Sequence, residues 1–85
     1  MEHSIKIKKQ YFDKILSKEK TFEIRKNDRD YQVGDTLILE EIDDYDLKWP
    51  YNSGRKIRVE ITYILFGPCY GLEADFCIMS VKQTA

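Results

Sequence analysis

Lys56-Ile57-Arg58-Val59-Glu60-Ile61-Thr62-Tyr63-Ile64-Leu65-Phe66 puts Ile57, Val59, Ile61, Tyr63 and Leu65 at every second position. Strand side chains alternate between two faces, so this pattern predicts one long strand with a single apolar face. Gly67-Pro68 ends it, because proline has no amide hydrogen for a ladder. After a loop through Gly71, the segment Phe76 to Val81 alternates again, with Phe76, Ile78 and Ser80 opposite Cys77, Met79 and Val81.

Upstream, Thr36 to Ile42 reads as a third strand, preceded by Val33-Gly34-Asp35, a turn in which Gly34 can take a left-handed backbone conformation. His3 to Ile7 alternates apolar positions with a lysine-rich face and predicts the first short strand. From Lys9 to Ser17, Phe12, Ile15 and Leu16 fall at helical spacing beside Tyr11, which predicts a short amphipathic helix. Lys20 to Arg25 is another strand, and Asn27 to Asp30 is dense in turn formers. Asp43 to Gly54, around Leu47, Trp49 and Tyr51, reads as a loop in which the aromatic pair beside Pro50 folds back over the barrel. Five strands and one early helix predict a mainly β, α+β domain, its small mixed sheet curled into a barrel to remove its edges.

At 85 residues the chain is one domain over 1–85, burying roughly 60–65% of its unfolded surface. Hydrophobic content of 42% with 34% charged residues describes a globular chain rather than a disordered one. The net charge of -1 gives no global pull towards nucleic acid. Its distribution is uneven: residues 1–30 carry nine Lys/Arg against six Asp/Glu, and residues 31–54 carry one against six. The N-terminal half can therefore attract a phosphate backbone locally.

Cys69 and Cys77 form no CxxC pair, and His3 is the only histidine, so an ordinary zinc site is excluded without carboxylates. Two reduced thiols and a start without an apolar leader segment point to a cytoplasmic protein. The apolar run near Ile61 to Phe66 is too short to span a bilayer. No cofactor, required metal or membrane partner is expected, and a monomer is expected.

The candidate site lies in Lys20-Thr21-Phe22-Glu23-Ile24-Arg25. Phe22 and Ile24 are expected on the buried face, with Thr21, Glu23 and Arg25 on the other. Residues two apart in a strand are roughly 6.6 Å apart on one face, so Glu23 and Arg25 can share a pocket that Lys20 enters from the strand's start. A carboxylate accepts while lysine and arginine donate, so the row suits a ligand with a donor edge and an anionic part, as a nucleotide has. On spacing alone, the competing reading is a solvated surface pair worth about 0–1 kcal/mol.

The string Glu23-Ile24-Arg25-Lys26-Asn27-Asp28-Arg29-Asp30, with His3-x-Ile5-Lys6-Ile7 before it and Val33-Gly34-Asp35 after it, resembles ASCH domains (activating signal cointegrator homology) of the PUA-like superfamily. The chain is most similar to a small bacterial and phage branch of unknown function. The resemblance covers His3 to about Val81. It implies a PUA-like pseudo-barrel of five to six strands with an N-terminal helix, and a cleft beside that helix. ASCH domains are thought to bind RNA or modified nucleosides in this cleft, which maps onto Lys20, Glu23 and Arg25. One branch hydrolyses an acetylated cytidine with a lysine, a threonine and a distant glutamate. This chain keeps Lys20 but has Glu23 at the threonine's position, with Thr21 two residues away.

The expectation is an RNA- or nucleotide-binding module in which Lys20, Arg25 and Arg29 meet phosphate and Glu23 accepts from a base. Tyr11, Tyr31, Tyr63 and Tyr70 are candidates for stacking on an unpaired base. A hydrolase with Lys20 and Glu23 as its catalytic pair is the alternative, although two flanking cations make a carboxylate a weak base and favour binding over catalysis. A third reading is a regulatory domain whose acidic Asp43–Asp46 stretch meets a basic partner. His3 can titrate near neutral pH and joins the candidate ligand-binding set, although the more ordinary role is a partly buried histidine bonded to backbone. Asp28 and Asp30 are expected to cap amides or pair with Arg29.

Overall fold

A computed structural model describes residues 1–43 and 51–84. In chain order the elements are β1 (Glu2–Lys8), α1 (Lys9–Leu16), β2 (Phe22–Lys26), β3 (Thr36–Asp43), β4 (Tyr51–Phe66) and β5 (Phe76–Gln83). The five strands form one sheet in the order β1-β3-β4-β5-β2, with β1 parallel to β3 and every other pair antiparallel. The sheet curls into a half-barrel with one short helix, the expected α+β pseudo-barrel.

Alternation builds the core. His3, Ile5 and Ile7 of β1 point inward, while Leu37, Leu39, Val59, Ile61, Cys77 and Met79 have no exposed surface. Each such aliphatic side chain stabilises the fold by roughly 1.5–3 kcal/mol. On α1, Phe12 and Ile15 are buried, three residues apart on one helix face, and Leu16 is left outside. The helix end is tied to the sheet where Gln83 Nε2 donates to the carbonyls of Ile15 at 2.7 Å and Leu16 at 3.3 Å. Carbonyls in the last turn have no partner within the helix, so this side chain satisfies groups the helix cannot.

Two sequence expectations are corrected here. The alternation of β4 does not run unbroken: Ile61 pairs with Val81 but Tyr63 pairs with Ser80, so Thr62 is an extra residue. The bulge exchanges the faces beyond it. Ile64 is buried and Tyr63 is exposed as a result, the reverse of a strict two-residue period. The strand also begins earlier: of the expected loop, Tyr51 to Gly54 belong to β4 and Asp43 to the end of β3. Leu47, Trp49 and the proposed cover over the barrel lie outside the described residues.

Gly34 has a φ of +96° and its amide donates to Ile61 O at 2.8 Å, so the turn before β3 uses the left-handed backbone expected of it. Gly67 is required for a different reason. A Cβ there would lie 1.8 Å from the backbone oxygen of Glu73, where the β4–β5 connection crosses itself.

Candidate functional site

β1 and β2 are the two ends of the sheet order, and the curl brings them face to face across an open seam. Two guanidinium groups bridge it. Arg25 Nη2 donates to Lys6 O at 2.9 Å, and Arg29 Nη1 donates to Ser4 O. Carbonyls on the free edge of β1 thereby gain charged donors where a sixth strand would have supplied amides.

β2 pairs only with β5, and its faces are the opposite of those expected. Glu23 lies across from Met79 and points inward with 3% of its surface exposed, whereas Phe22 and Ile24 point outward at 42% and 51%. The carboxylate is buried because it is paired: Lys20 Nζ donates to Oε1, Arg25 Nε donates to Oε2 at 3.2 Å, and Arg25 Nη2 lies 3.1 Å from Oε2 as an ion pair. A charge can be held out of water only with such partners. Lys20 Nζ also donates to Phe22 O at 2.7 Å and lies 4.9 Å from the Phe22 ring centre and 5.6 Å from that of Tyr11.

Glu23, Lys20 and Arg25 line an open hollow of about 520 Å³, which Lys6 and Tyr11 complete from the β1–α1 side. One buried carboxylate thus holds two cations at the edge of a space wide enough for a base or a sugar phosphate. Tyr11 is half-exposed on its wall. Such an arrangement offers positive charge with fixed direction next to an aromatic face.

Residues 2–81 match the family described as a domain of unknown function, DUF3850. The chain belongs to the DUF3850 family. It is 42% identical over 62 residues to an uncharacterised 12.9 kDa protein in the GpA 3′ region of Escherichia phage P2, a stretch covering 71% of this chain and 50% of that protein. The chain therefore spans about half the length of this phage relative.

In this DUF3850 chain the remaining candidate residues are dispersed. Thr21 does not join Glu23: its carbonyl accepts from the Val81 amide at 3.0 Å, and it lines a separate hollow of about 230 Å³ with Ile15 and Val81. Arg29 sits at the far end of the seam. His3 lines neither the Glu23 hollow nor the seam. It is buried, bonded to a carboxylate rather than to backbone, with Nε2 2.8 Å from Asp35 Oδ2 and its ring edge-on to Tyr31 at 4.8 Å. That bond, with the Gln32 amide at 3.0 Å, holds the Asp35 carboxyl below its ordinary value. Tyr31 is buried, which pushes its hydroxyl upward, and Tyr63 and Tyr70 are exposed elsewhere, so Tyr11 is the tyrosine at the Glu23 hollow. Asp30 Oδ1 accepts from Gln32 Nε2 at 3.1 Å rather than from Arg29. Among the described residues, no three His, Cys, Asp or Glu side chains gather as metal ligands would. No described helix is long and apolar enough to cross a membrane.

The opposite wall of the hollow escapes sequence reasoning. Lys6 contributes through its backbone oxygen as well as its side chain, and the available signal was the lysine-rich face of β1. A second buried carboxylate, Glu41, also went unmarked. It accepts from Arg55 Nε at 2.9 Å and from Ser53 Oγ, and Arg55 Nη2 reaches on to Asp13 Oδ1 at 2.8 Å. Chiefly through the Arg55 hydrogen bonds, the Glu41 carboxyl is lowered to about 2.

Proposed function

We propose that this chain is an RNA- or nucleotide-binding module whose ligand enters the hollow lined by Lys20, Glu23 and Arg25. The observation that carries the reading is the excess of cation over anion around a single buried carboxylate beside open space. Glu23 neutralises only part of the charge of Lys20 and Arg25 and holds both in place, so an incoming phosphate meets donors already oriented. Pre-positioned donors reduce the ordering cost of binding. Tyr11 supplies a face on which an unpaired base can stack, worth about 1–3 kcal/mol per base. The likeness of the Glu23–Asp30 string to ASCH domains of the PUA-like superfamily supports the same ligand class.

Binding is favoured over hydrolysis because both Glu23 oxygens already accept from cations. A water to be activated there would first have to displace one of them. The test is RNA binding by the chain carrying Lys20→Ala with Arg25→Ala, measured across a salt series. Two lost phosphate contacts should reduce the slope of log K against log salt by about 2. Unchanged binding would move the site elsewhere. Mass spectrometry of RNAs and modified nucleosides recovered from the wild-type protein separates the two activities, since a reader returns its ligand unaltered.

A further inference from the structure

The seam carries a second hollow. It measures about 450 Å³, is lined by Arg29, Lys26 and Tyr31, and shares Lys6 and Arg25 with the Glu23 hollow. Arg25 therefore stands between two spaces that follow one another along the gap between β1 and β2. Four cations line the second hollow, Lys6, Arg25, Lys26 and Arg29, against the carboxylates of Asp28 and Glu40.

The two arginines are mounted at a defined interval. Arg29 is tied to Ser4 O and Arg25 to Lys6 O, carbonyls two residues apart on one strand and so roughly 6.6 Å from one another. Each guanidinium has donors left over: among the described residues neither Arg25 Nη1 nor Arg29 Nη2 has a protein partner. A guanidinium anchored through one nitrogen and free at another is suited to a phosphate oxygen. A step of roughly 6.6 Å is of the order of the separation between neighbouring phosphates along one nucleic-acid strand, so the two arginines suit successive phosphates.

We infer that the seam is a track for a single-stranded polynucleotide, with one phosphate at Lys20 and Arg25 and the adjoining phosphate at Arg29. This rests on the nucleotide-binding reading and narrows it from a free nucleoside or mononucleotide to a strand of at least two nucleotides. RNA and single-stranded DNA share the chemistry the arginines recognise, and the 2′-hydroxyl distinguishes them.

The experiment compares the affinities of uridine monophosphate, 5′-phosphorylated diuridylate and tetrauridylate, with deoxy counterparts, for the full chain and for Arg29→Gln and Lys26→Glu. The dinucleotide should bind about tenfold tighter than the mononucleotide, because it adds a charge-assisted contact. Arg29→Gln should remove most of that advantage, and Lys26→Glu, at an exposed position that leaves the Arg29–Ser4 bridge in place, should reduce it. Thermal unfolding of both variants guards against loss of fold. Equal affinity for one and two nucleotides overturns the track while leaving the Glu23 hollow as a mononucleotide site. An advantage that persists in both folded variants overturns it as well. Absence of binding by every probe removes the nucleotide reading itself. A preference for the ribose series assigns the track to RNA, and equal binding of both series assigns it to single strands in general.

Discussion

Two glutamates are buried in this half-barrel, and they do different work. Glu23 is 3% exposed and Glu41 is 4% exposed, and each is held by an arginine. At Glu41 the charges are matched: Arg55 is divided between Glu41 and Asp13 and lies 4.8 Å from the Phe12 ring, while Lys9 donates to Asp13 at 2.8 Å. The cluster clasps α1 to β3 and β4 and is saturated. At Glu23 one carboxylate serves two cations, and those cations border a hollow. Burial of a charge therefore does not mark a site; unmatched charge next to open space does.

The largest effect should come from Glu41→Ala. Arg55 and Ser53 would lose their common acceptor, with a loss of about 3 kcal/mol in urea unfolding, near the low end for a broken buried pair because Arg55 keeps Asp13. RNA binding should keep its salt slope. A slope that fell by the amount expected for Lys20→Ala with Arg25→Ala would erase the distinction between the two clusters.

Acid sharpens the same contrast. The Glu41 carboxyl is lowered from an ordinary 4.5 to about 2 in the folded chain, mainly by hydrogen bonds from Arg55. On acidification the unfolded chain takes up this proton first, so the stabilisation is full above about pH 4.5 and is lost as pH falls towards 2. Thermal melts between pH 6 and pH 2.5 should show the loss, and Glu41→Gln should flatten that part of the curve.

At the open cluster the cost to the fold is smaller. Glu23→Gln should lower stability by about 1–2 kcal/mol, because Lys20 and Arg25 can turn their charge towards the hollow. A binding module should change its base preference and have no turnover to lose, whereas a hydrolase should lose turnover while keeping much of its substrate affinity. Tyr11→Ala should cost about 1 kcal/mol of RNA affinity, at the low end for base stacking, with little change in melting temperature at this half-exposed position. The smallest effect belongs to Thr21→Val. Thr21 uses its backbone rather than its hydroxyl and lies outside the Glu23 hollow, so both stability and affinity should stay within about 0.5 kcal/mol.

Much of this arrangement is readable from local pattern. The alternation of β1, β3 and β5, the Phe12 and Ile15 spacing on α1 and the Gly34 turn all follow from side-chain periodicity and backbone sterics. The same is true of the adjacency of Glu23 and Arg25, since residues two apart on a strand share a face. Thr62 and β2 mark where pattern fails. A bulge depends on what the neighbouring strand offers, and Thr62 is inserted against the Val81–Ser80 step of β5, which nothing in the β4 sequence announces.

By itself the sequence determined that this chain forms five strands and a short helix, and that one strand carries Glu23 and Arg25 together; Lys20, expected at the start of that strand, stands two residues before it. Only the tertiary structure decided which way that strand faces. Pairing with Cys77 and Met79 turns Glu23 and Arg25 inward, and the curl of the sheet brings Arg25 and Arg29 to the carbonyls of Lys6 and Ser4. An edge strand with one apolar and one charged face can be placed either way round by periodicity alone. The choice is made by partners far away in sequence, which burial of the charged face requires and which only folding supplies.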